Sequence, residues 1–255
     1  MTAPLKVWLE AEGRLLRLRL ARPKANLIDT AMIAALDAAL AARLPEPHLT
    51  AVLIDAEGPN FSFGASVEEH LPAECARMLP ALHGLLRRLV ESPVAILVAA
   101  HGRCLGGGLE LALAGHLLFV APDAELGQPE IRLGVFAPAA SCLLPERVGL
   151  QRATDLLLSG RSVTGVEAVT LGLAWHSAAA PAEAAFKYFN EQLLPKSAGA
   201  LRHALRAARG DYARRMAAKL TEVENLYLGE LMNTRDAVEG LEAFIAKRPP
   251  HWEHR

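Results

Sequence analysis

Three consecutive glycines, Gly106–Gly108, restrict the fold of this chain more than any other feature. They follow a short apolar run of the kind that forms a buried strand, Val94–Ala99, and they open an apolar helical segment, Gly107–Ala114. Without side chains, the backbone is bare at the start of that helix, where the first N–H groups lack an intrahelical acceptor and the helix dipole favours negative charge. The sequence therefore predicts a site for a phosphate or an oxyanion at this turn.

The residues that follow the glycines favour an oxyanion over a phosphate. A Walker loop requires Gly-Lys and then Ser or Thr, whereas Leu109 and Glu110 follow here, and a dinucleotide fingerprint requires a glycine where Leu111 stands. The Glu110 carboxylate would also repel phosphate. Because Glu110 lies about one helical turn after Gly107, its side chain can lie beside the bound oxygen.

Strand and helix patterns alternate along the first half of the chain, which predicts an α/β fold with a parallel sheet and right-handed crossovers. The predicted elements are a hairpin of Leu5–Glu10 and Arg14–Leu20, a helix Thr30–Leu44 capped by Asp29, a strand Ala51–Asp55, a helix Ala73–Val90, a loop His101–Gly106 and a strand Leu117–Val120. From Pro138 onward the pattern is almost wholly helical. The last predicted helices are Asp211–Met232 and Thr234–Lys247.

The amino-acid composition restricts the kinds of partner and cofactor that the chain is expected to bind. The 255 residues carry a net charge of -1, which favours neither nucleic acid nor an anionic membrane as a partner. Three cysteines without a CxxC pair argue against a disulfide framework, and the histidines lack the spacing of a metal site. The longest apolar stretch, Pro93–Ala100, is too short to span a bilayer, and the first residues lack the apolar core of a signal peptide. We therefore expect a cytoplasmic protein without a metal.

Two further segments supply candidate groups for the predicted oxyanion site. Gly64 lets the chain turn sharply, so that the N–H groups of Ala65 and Ser66 can face a cleft. Pro129 stiffens a loop that presents the carboxylate of Glu130. Two carboxylates near one polarised carbonyl can act as general acid and base, because one can be neutral while the other is ionised. The alternatives are that the glycines only allow tight helix–strand packing and that Glu130 is an ordinary loop acid.

The chain resembles the crotonase (enoyl-CoA hydratase/isomerase) superfamily in three motifs and their order: FSFGAS, HGRCLGGGLELALAGH and LGQPEIRLGV. The likeness runs from about Val7 to the terminal AFIAKRPPHW. It implies a crotonase-like spiral of ββα units in residues 1–195, with the coenzyme A and active sites, and a C-terminal helical trimerisation region in residues 196–255. It also implies an oxyanion hole from the N–H groups of Ala65 and Gly107, with Glu110 and Glu130 as the catalytic glutamates. The implied coenzyme A contacts are Lys24, Asn26, Phe63, Ala65 and Lys247. Lys247 and Phe244 resemble residues of the family's C-terminal helix, which reaches the ligand of a neighbouring subunit.

The stretch after Glu130 departs from the family pattern, since GVFAPAAS stands in place of the usual Pro-Gly-Ala-Gly run. Ser66 likewise stands where the family commonly has Asp. Pro138 fixes φ and has no N–H, so this loop cannot follow the usual glycine path. Phe136 would add a flat apolar wall suited to a six-membered ring. The predicted acyl pocket consists of Ser66, Gly106, Phe136, Ala137 and Pro138, with Ala139 and Ala140 beside them.

The family resemblance, together with these departures from the family pattern, implies a hydratase that adds water to a cyclic dienoyl-CoA thioester in anaerobic aromatic degradation. We expect a homotrimer or homohexamer that needs no cofactor beyond the coenzyme A moiety of its substrate. The alternatives are a straight-chain enoyl-CoA hydratase, an enoyl-CoA isomerase, and a non-catalytic crotonase-like binding module. The pair Glu110 and Glu130 weighs against an isomerase that needs one base, and the near-neutral charge weighs against an RNA-binding module.

Overall fold

The computed structural model describes residues 3–255. The strands are β1 Leu5–Glu10, β2 Leu15–Leu20, β3 Ala51–Ala56, β4 Ala95–Ala100, β5 Arg103–Leu105, β6 Leu117–Val120, β7 Glu125–Gly127, β8 Ser162–Thr164 and β9 His176–Ser177. The α-helices are α1 Thr30–Arg43, α2 Pro72–Val90, α3 Gly107–Ala114, α4 Pro138–Val148, α5 Leu150–Ser159, α6 Gly165–Leu171, α7 Pro181–Tyr188, α8 Ala198–Gly229 and α9 Arg235–Ile245. Short 3₁₀ helices span Glu68–His70, Pro129–Leu133 and Leu231–Asn233, and a π-helical turn spans Phe189–Leu193.

Six strands form the main sheet in the order β1-β2-β3-β4-β6-β9. The β1–β2 pair is antiparallel, which confirms the predicted hairpin, and the other pairs are parallel. Both faces of β3 are covered: Val52 and Ile54 pack into the main hydrophobic cluster, and Leu53 packs into a second cluster on the other face. A strand buried on both sides is therefore almost continuously apolar, as in other parallel sheets.

Helix α1 begins where Asp29 predicts it. The Asp29 carboxylate accepts a hydrogen bond from the Met32 N–H at 2.9 Å, which satisfies one of the free donors at the helix start. Met32, Leu36 and Leu40 recur at helical spacing and are fully buried against the main sheet. The helix ends at Arg43, one residue before the predicted end.

A second sheet, in the order β5-β7-β8, brings the three family motifs together. Strand β5 pairs in parallel with β7, with Leu105 opposite Gly127, and on its other side Cys104 bridges to Ser62. The Leu105 N–H donates to the Ser62 carbonyl at 3.0 Å, and the Gly106 N–H donates to the Gly127 carbonyl at 2.9 Å. These backbone hydrogen bonds hold the turn after Ser62, the glycine turn and the segment before Glu130 side by side. The predicted loop His101–Gly106 thus contains a strand, β5.

The chain after Pro138 is helical as predicted, except for β8 and β9. These strands have three and two residues, too few for a recognisable alternation of apolar and polar positions. Helix α8 is longer than predicted, because it begins at Ala198 rather than Asp211. The Ser197 hydroxyl caps it by accepting the Ala200 N–H at 3.3 Å.

The C-terminal helices pack on the same chain. Met216 and Leu220 of α8 belong to the main hydrophobic cluster that also contains β3 and β4 side chains. The division into residues 1–195 and 196–255 stays a prediction. Within residues 3–255, no helix is both long and apolar enough to cross a membrane.

Candidate active site

The two predicted oxyanion donors, Ala65 and Gly107, lie side by side. Gly107 is the first residue of α3, so its N–H has no acceptor within the helix. A methyl group built on Gly107 would lie 3.1 Å from the Ala65 nitrogen. Gly64 has φ +108°, and a methyl group there would lie 3.0 Å from the Leu105 carbonyl oxygen, so glycine alone fits the turn before Ala65. The backbone therefore forms a narrow pair of N–H groups that can hold one oxygen atom.

Glu110 lies one turn into α3 and is buried, with 3% of its surface exposed. Its Oε1 accepts a hydrogen bond from the Ala140 N–H at 2.8 Å. Ala140 is the third residue of α4, so this N–H is one of the free donors at the start of that helix. Burial raises the pKa of Glu110 to about 7, and the hydrogen bonds from Ala140 and Ala139 oppose that rise.

Glu130 comes from the 3₁₀ helix that follows β7 and reaches the glycine turn. A methyl group built on Gly106 would lie 2.6 Å from Glu130 Oε1, so the carboxylate touches the bare backbone of that turn. Burial, and then the charge of Glu110, raise the pKa of Glu130 to about 8. With its amide nitrogen turned toward the carboxylate, Gln128 donates to both Glu130 oxygens at 3.1 Å.

The donors and the glutamates open into one cavity of about 470 Å³. Its apolar wall consists of Val67, Leu79, Leu82, Leu133, Val135, Phe136, Pro138, Leu241 and Phe244. Of the predicted site residues, the structure brings together Ala65, Gly107, Glu110, Glu130, Gly106, Phe63, Phe136 and Pro138 at this cavity. The arrangement can polarise a thioester carbonyl and move protons beside it in a largely apolar cavity.

Two of the predicted pocket residues lie outside the cavity lining. The buried Ser66 hydroxyl donates to Glu68 Oε2 at 3.0 Å and accepts the Glu69 N–H at 3.3 Å, so it caps the 3₁₀ helix Glu68–His70. Ala137 is buried directly before α4.

The predicted coenzyme A contacts fall in different places. Lys24 and Asn26 line a separate groove of about 270 Å³, and the Asn26 amide is occupied by backbone bonds to Glu57 and Asn60 at 2.9 and 3.0 Å. Lys247 is exposed beyond α9. Phe244, expected to extend toward a neighbouring subunit, lines the cavity of its own chain. The coenzyme A roles of these residues stay predictions.

Several residues at the cavity were not found from the sequence. Arg103 and Arg132 are exposed cations at its lining, and the Arg103 guanidinium lies 5.4 Å from the centre of the Phe63 ring. His70 and Leu241 come from parts of the chain distant from the motifs. Only the spacing of His70, four residues after Ser66, could have indicated that it lies one helical turn after the FSFGAS motif.

Comparison with known proteins agrees with the geometry. The enoyl-CoA hydratase/isomerase family model matches residues 10–255. A cyclohexa-1,5-dienecarbonyl-CoA hydratase from Thauera aromatica is 62% identical over 254 residues, covering 100% of this chain and 98% of the relative. A probable enoyl-CoA hydratase from Bacillus subtilis is 33% identical, covering 91% of this chain and 92% of the relative.

Solved structures give the same result for the fold. An enoyl-CoA hydratase/isomerase from Pseudoalteromonas atlantica superimposes with a TM-score of 0.86 at 27% identity, covering 98% of this chain and 99% of the other. An enoyl-CoA hydratase from Bacillus halodurans, at 19% identity and a TM-score of 0.87, shares the fold over 94% of this chain and 99% of its own. The α/β crotonase fold predicted from the motifs is confirmed. This chain belongs to the enoyl-CoA hydratase/isomerase family.

Proposed function

We propose that this enzyme is a hydro-lyase that adds water to cyclohexa-1,5-diene-1-carbonyl-CoA and forms 6-hydroxycyclohex-1-ene-1-carbonyl-CoA. The observation that carries the proposal is the convergence of two backbone N–H donors, the buried Glu110 and the half-buried Glu130 at one apolar cavity. The 62% identical relative, named for this hydratase activity, supports the choice of substrate.

The oxyanion donors activate the thioester. The N–H groups of Ala65 and Gly107 bind the carbonyl oxygen and stabilise the enolate that forms when water attacks the β-carbon. Because the ring is conjugated, the negative charge extends to the γ-carbon of the second double bond. The start of α3 adds its dipole to the same oxygen.

The hydrogen bonds of the two glutamates suggest which is base and which is acid. Donors from α4 stabilise the ionised form of Glu110, whereas burial and the charge of Glu110 raise the pKa of Glu130. Glu110 therefore takes a proton from water as the C–O bond forms at the β-carbon. Glu130 gives its proton to the γ-carbon, and a proton passed from Glu110 to Glu130 then restores the starting state. The net change is the addition of one water molecule across the diene.

The cavity wall suits a ring. Phe136 forms part of the apolar wall beside the glutamates, and Pro138, at the first position of α4, closes the turn after it. A linear chain would leave part of this wall uncovered, and each unburied methylene forfeits roughly 0.8 kcal/mol. Arg103 and Arg132 supply the local cations that the coenzyme A phosphates need in a chain with almost no net charge.

The test is a panel of enoyl- and dienoyl-CoA esters followed by mass spectrometry. Hydration adds the mass of one water molecule and isomerisation adds none. We expect the cyclic dienoyl ester to gain one water and to react faster than crotonyl-CoA. A mass gain only with crotonyl-CoA would indicate a straight-chain hydratase, a rearranged product of unchanged mass would indicate an isomerase, and binding without turnover would indicate a binding module.

We also propose a homotrimer or homohexamer in a reducing cytoplasm. Leu241 of α9 is buried within its own chain, but Phe244 and Ile245 of the same helix remain 55% and 39% exposed. Leu150, Leu158 and Trp175 add further exposed apolar surface of the kind that subunit contacts cover. The three cysteines are free and buried, which suits a reducing compartment.

A further inference from the structure

His70 is a polar side chain in the lining of the largely apolar cavity. It ends the 3₁₀ helix Glu68–His70, a few residues after the oxyanion donor Ala65, and its ring lines the same cavity as Glu110 and Glu130. The edge of the ring lies against Tyr227, with ring centres 6.5 Å apart, and Tyr227 in turn packs against Phe136 at 5.2 Å. The three aromatic rings thus pack in a row, of which His70 and Phe136 line the cavity.

One hydrogen bond fixes the tautomer of His70. Its Nδ1 lies 2.7 Å from the Ser66 carbonyl oxygen. A carbonyl oxygen only accepts hydrogen bonds, so Nδ1 must carry the proton. Burial lowers the pKa of His70, although the Ser66 carbonyl and Glu69 act in the opposite direction, so the ring is neutral near pH 7. In a neutral ring with the proton on Nδ1, Nε2 is an acceptor.

This Nε2 has no hydrogen-bond partner among the described residues 3–255. The wall of the cavity that His70 lines is largely apolar, with Leu79, Leu82 and Val135 among its residues. An acceptor facing an apolar ring loses the hydrogen bond that water would give it. The diene substrate carries no donor on its ring, whereas the hydrated product carries a hydroxyl group.

We propose that His70 is a specificity-determining residue whose Nε2 accepts a hydrogen bond from the hydroxyl group that hydration places on the ring. The cavity then favours a hydroxylated six-membered acyl group over the same ring without the hydroxyl. This inference rests on the proposed function, because it takes the hydrated ring as the product.

The test compares two coenzyme A esters by calorimetry: 6-hydroxycyclohex-1-ene-1-carbonyl-CoA and cyclohex-1-ene-1-carbonyl-CoA, which lacks only the hydroxyl. Glu130→Gln serves as the background so that neither ligand is turned over, and mass spectrometry checks that both stay intact. We expect the hydroxylated ester to bind about 3- to 10-fold more tightly. His70→Phe, added to this background, keeps an aromatic ring but removes the acceptor. It should abolish the preference for the hydroxylated ester by weakening the binding of that ester alone.

Phe136→Leu is the matched control, since it alters the same aromatic wall without removing an acceptor and should weaken both esters alike. An unchanged ratio in His70→Phe, or equal weakening of both esters, would overturn the proposal. If His70→Phe does not fold, ¹⁵N NMR of the His70 ring in the Glu130→Gln variant replaces the binding test of His70→Phe. The Nε2 resonance should move upfield with the hydroxylated ester and stay in place with the other, and movement with neither refutes the proposal. Turnover of the diene by the unmodified enzyme tests the proposed function separately.

Discussion

Gly106 is the position at which one added methyl group should most sharply separate catalysis from folding. Its backbone has φ +51° and ψ −130°, a conformation that residues with side chains adopt only at a cost of about 1–3 kcal/mol. The new methyl would lie 2.6 Å from Glu130 Oε1, and restoring an ordinary contact of 3.4 Å requires a shift of about 0.8 Å. A misplacement of about 1 Å can lower the rate about 100-fold. We therefore expect Gly106→Ala to lower kcat by about two orders of magnitude.

Gly84→Ala is the matched control, because Gly84 lies within α2 and a methyl group there would meet nothing within 4 Å. It should leave kcat unchanged and stabilise the protein by about 0.5–1 kcal/mol. The assay combines mass-detected turnover, calorimetric binding of coenzyme A esters and thermal unfolding. Gly106→Ala should lower Tm by about 2–10 °C while most of the ligand affinity remains. If it keeps kcat within about threefold of the unmodified enzyme, the carboxylate of Glu130 does not need the position that the structure gives it.

The other predictions concern the acid–base pair, the ring wall and assembly. Glu110→Gln and Glu130→Gln should each lower kcat about 10²–10⁴-fold with coenzyme A ester binding retained, and near-normal turnover in either would exclude that residue as acid or base. Because the base must be ionised and the acid protonated, kcat/KM should rise as pH passes about 7 and fall above about 8. A flat profile from pH 6 to 9 would contradict the assignment of Glu110 and Glu130 as base and acid. Phe136→Ala should lower kcat/KM for the cyclic diene more than for crotonyl-CoA, and an equal loss would remove its role in ring selection. Sedimentation should show a trimer or hexamer at micromolar concentration, and a monomer would leave the exposed Phe244 and Ile245 unexplained.

Stability should depend on pH through the same pair. The folded pKa values of Glu110 and Glu130 lie above the ordinary value of 4.5, so the folded protein holds protons that the unfolded chain releases. Each group therefore lowers the free energy of unfolding as pH rises from about 4.5 toward its folded pKa. The destabilisation is small at pH 5 and largest above pH 8. The effect of Glu239 on stability has the opposite sign, because Arg248 lowers the pKa of this surface carboxylate to about 2.

Local sequence patterns predicted the elements whose signals lie within a single segment. Asp29 marks the start of α1, and the glycines mark the start of α3, because caps and free N–H groups are properties of adjacent residues. The hairpin of β1 and β2 followed from alternation around a turn. The two candidate glutamates, Glu110 and Glu130, were found because each lies next to a backbone turn that glycine or proline makes recognisable.

The parts that were not predicted depend on pairing between distant segments. Strands β5 and β7 have three residues each and are stabilised by one another, so neither has a pattern of its own. Tyr227 packs behind Phe136 from a helix far along the chain, and its burial is a property of the assembled core. The early start of α8 was missed because the segment after Ser197 contains Gly199 and Gly210 and has few buried positions.

The assembled site also explains why Glu130, and not Glu110, should hold the proton. In the proposed reaction one negative charge moves as water attacks, from the carboxylate of the base to the thioester oxygen. The start of α4 donates to Glu110 at 2.8 Å, and the start of α3 lies at the thioester oxygen, so the charge faces a helix N-terminus in both positions. The Gln128 amide donates to both Glu130 oxygens at 3.1 Å, but Glu130 lies close enough to Glu110 for that charge to raise its pKa. An ionised Glu130 would add a second negative charge beside the first, and the proton that avoids it is the one that the γ-carbon receives.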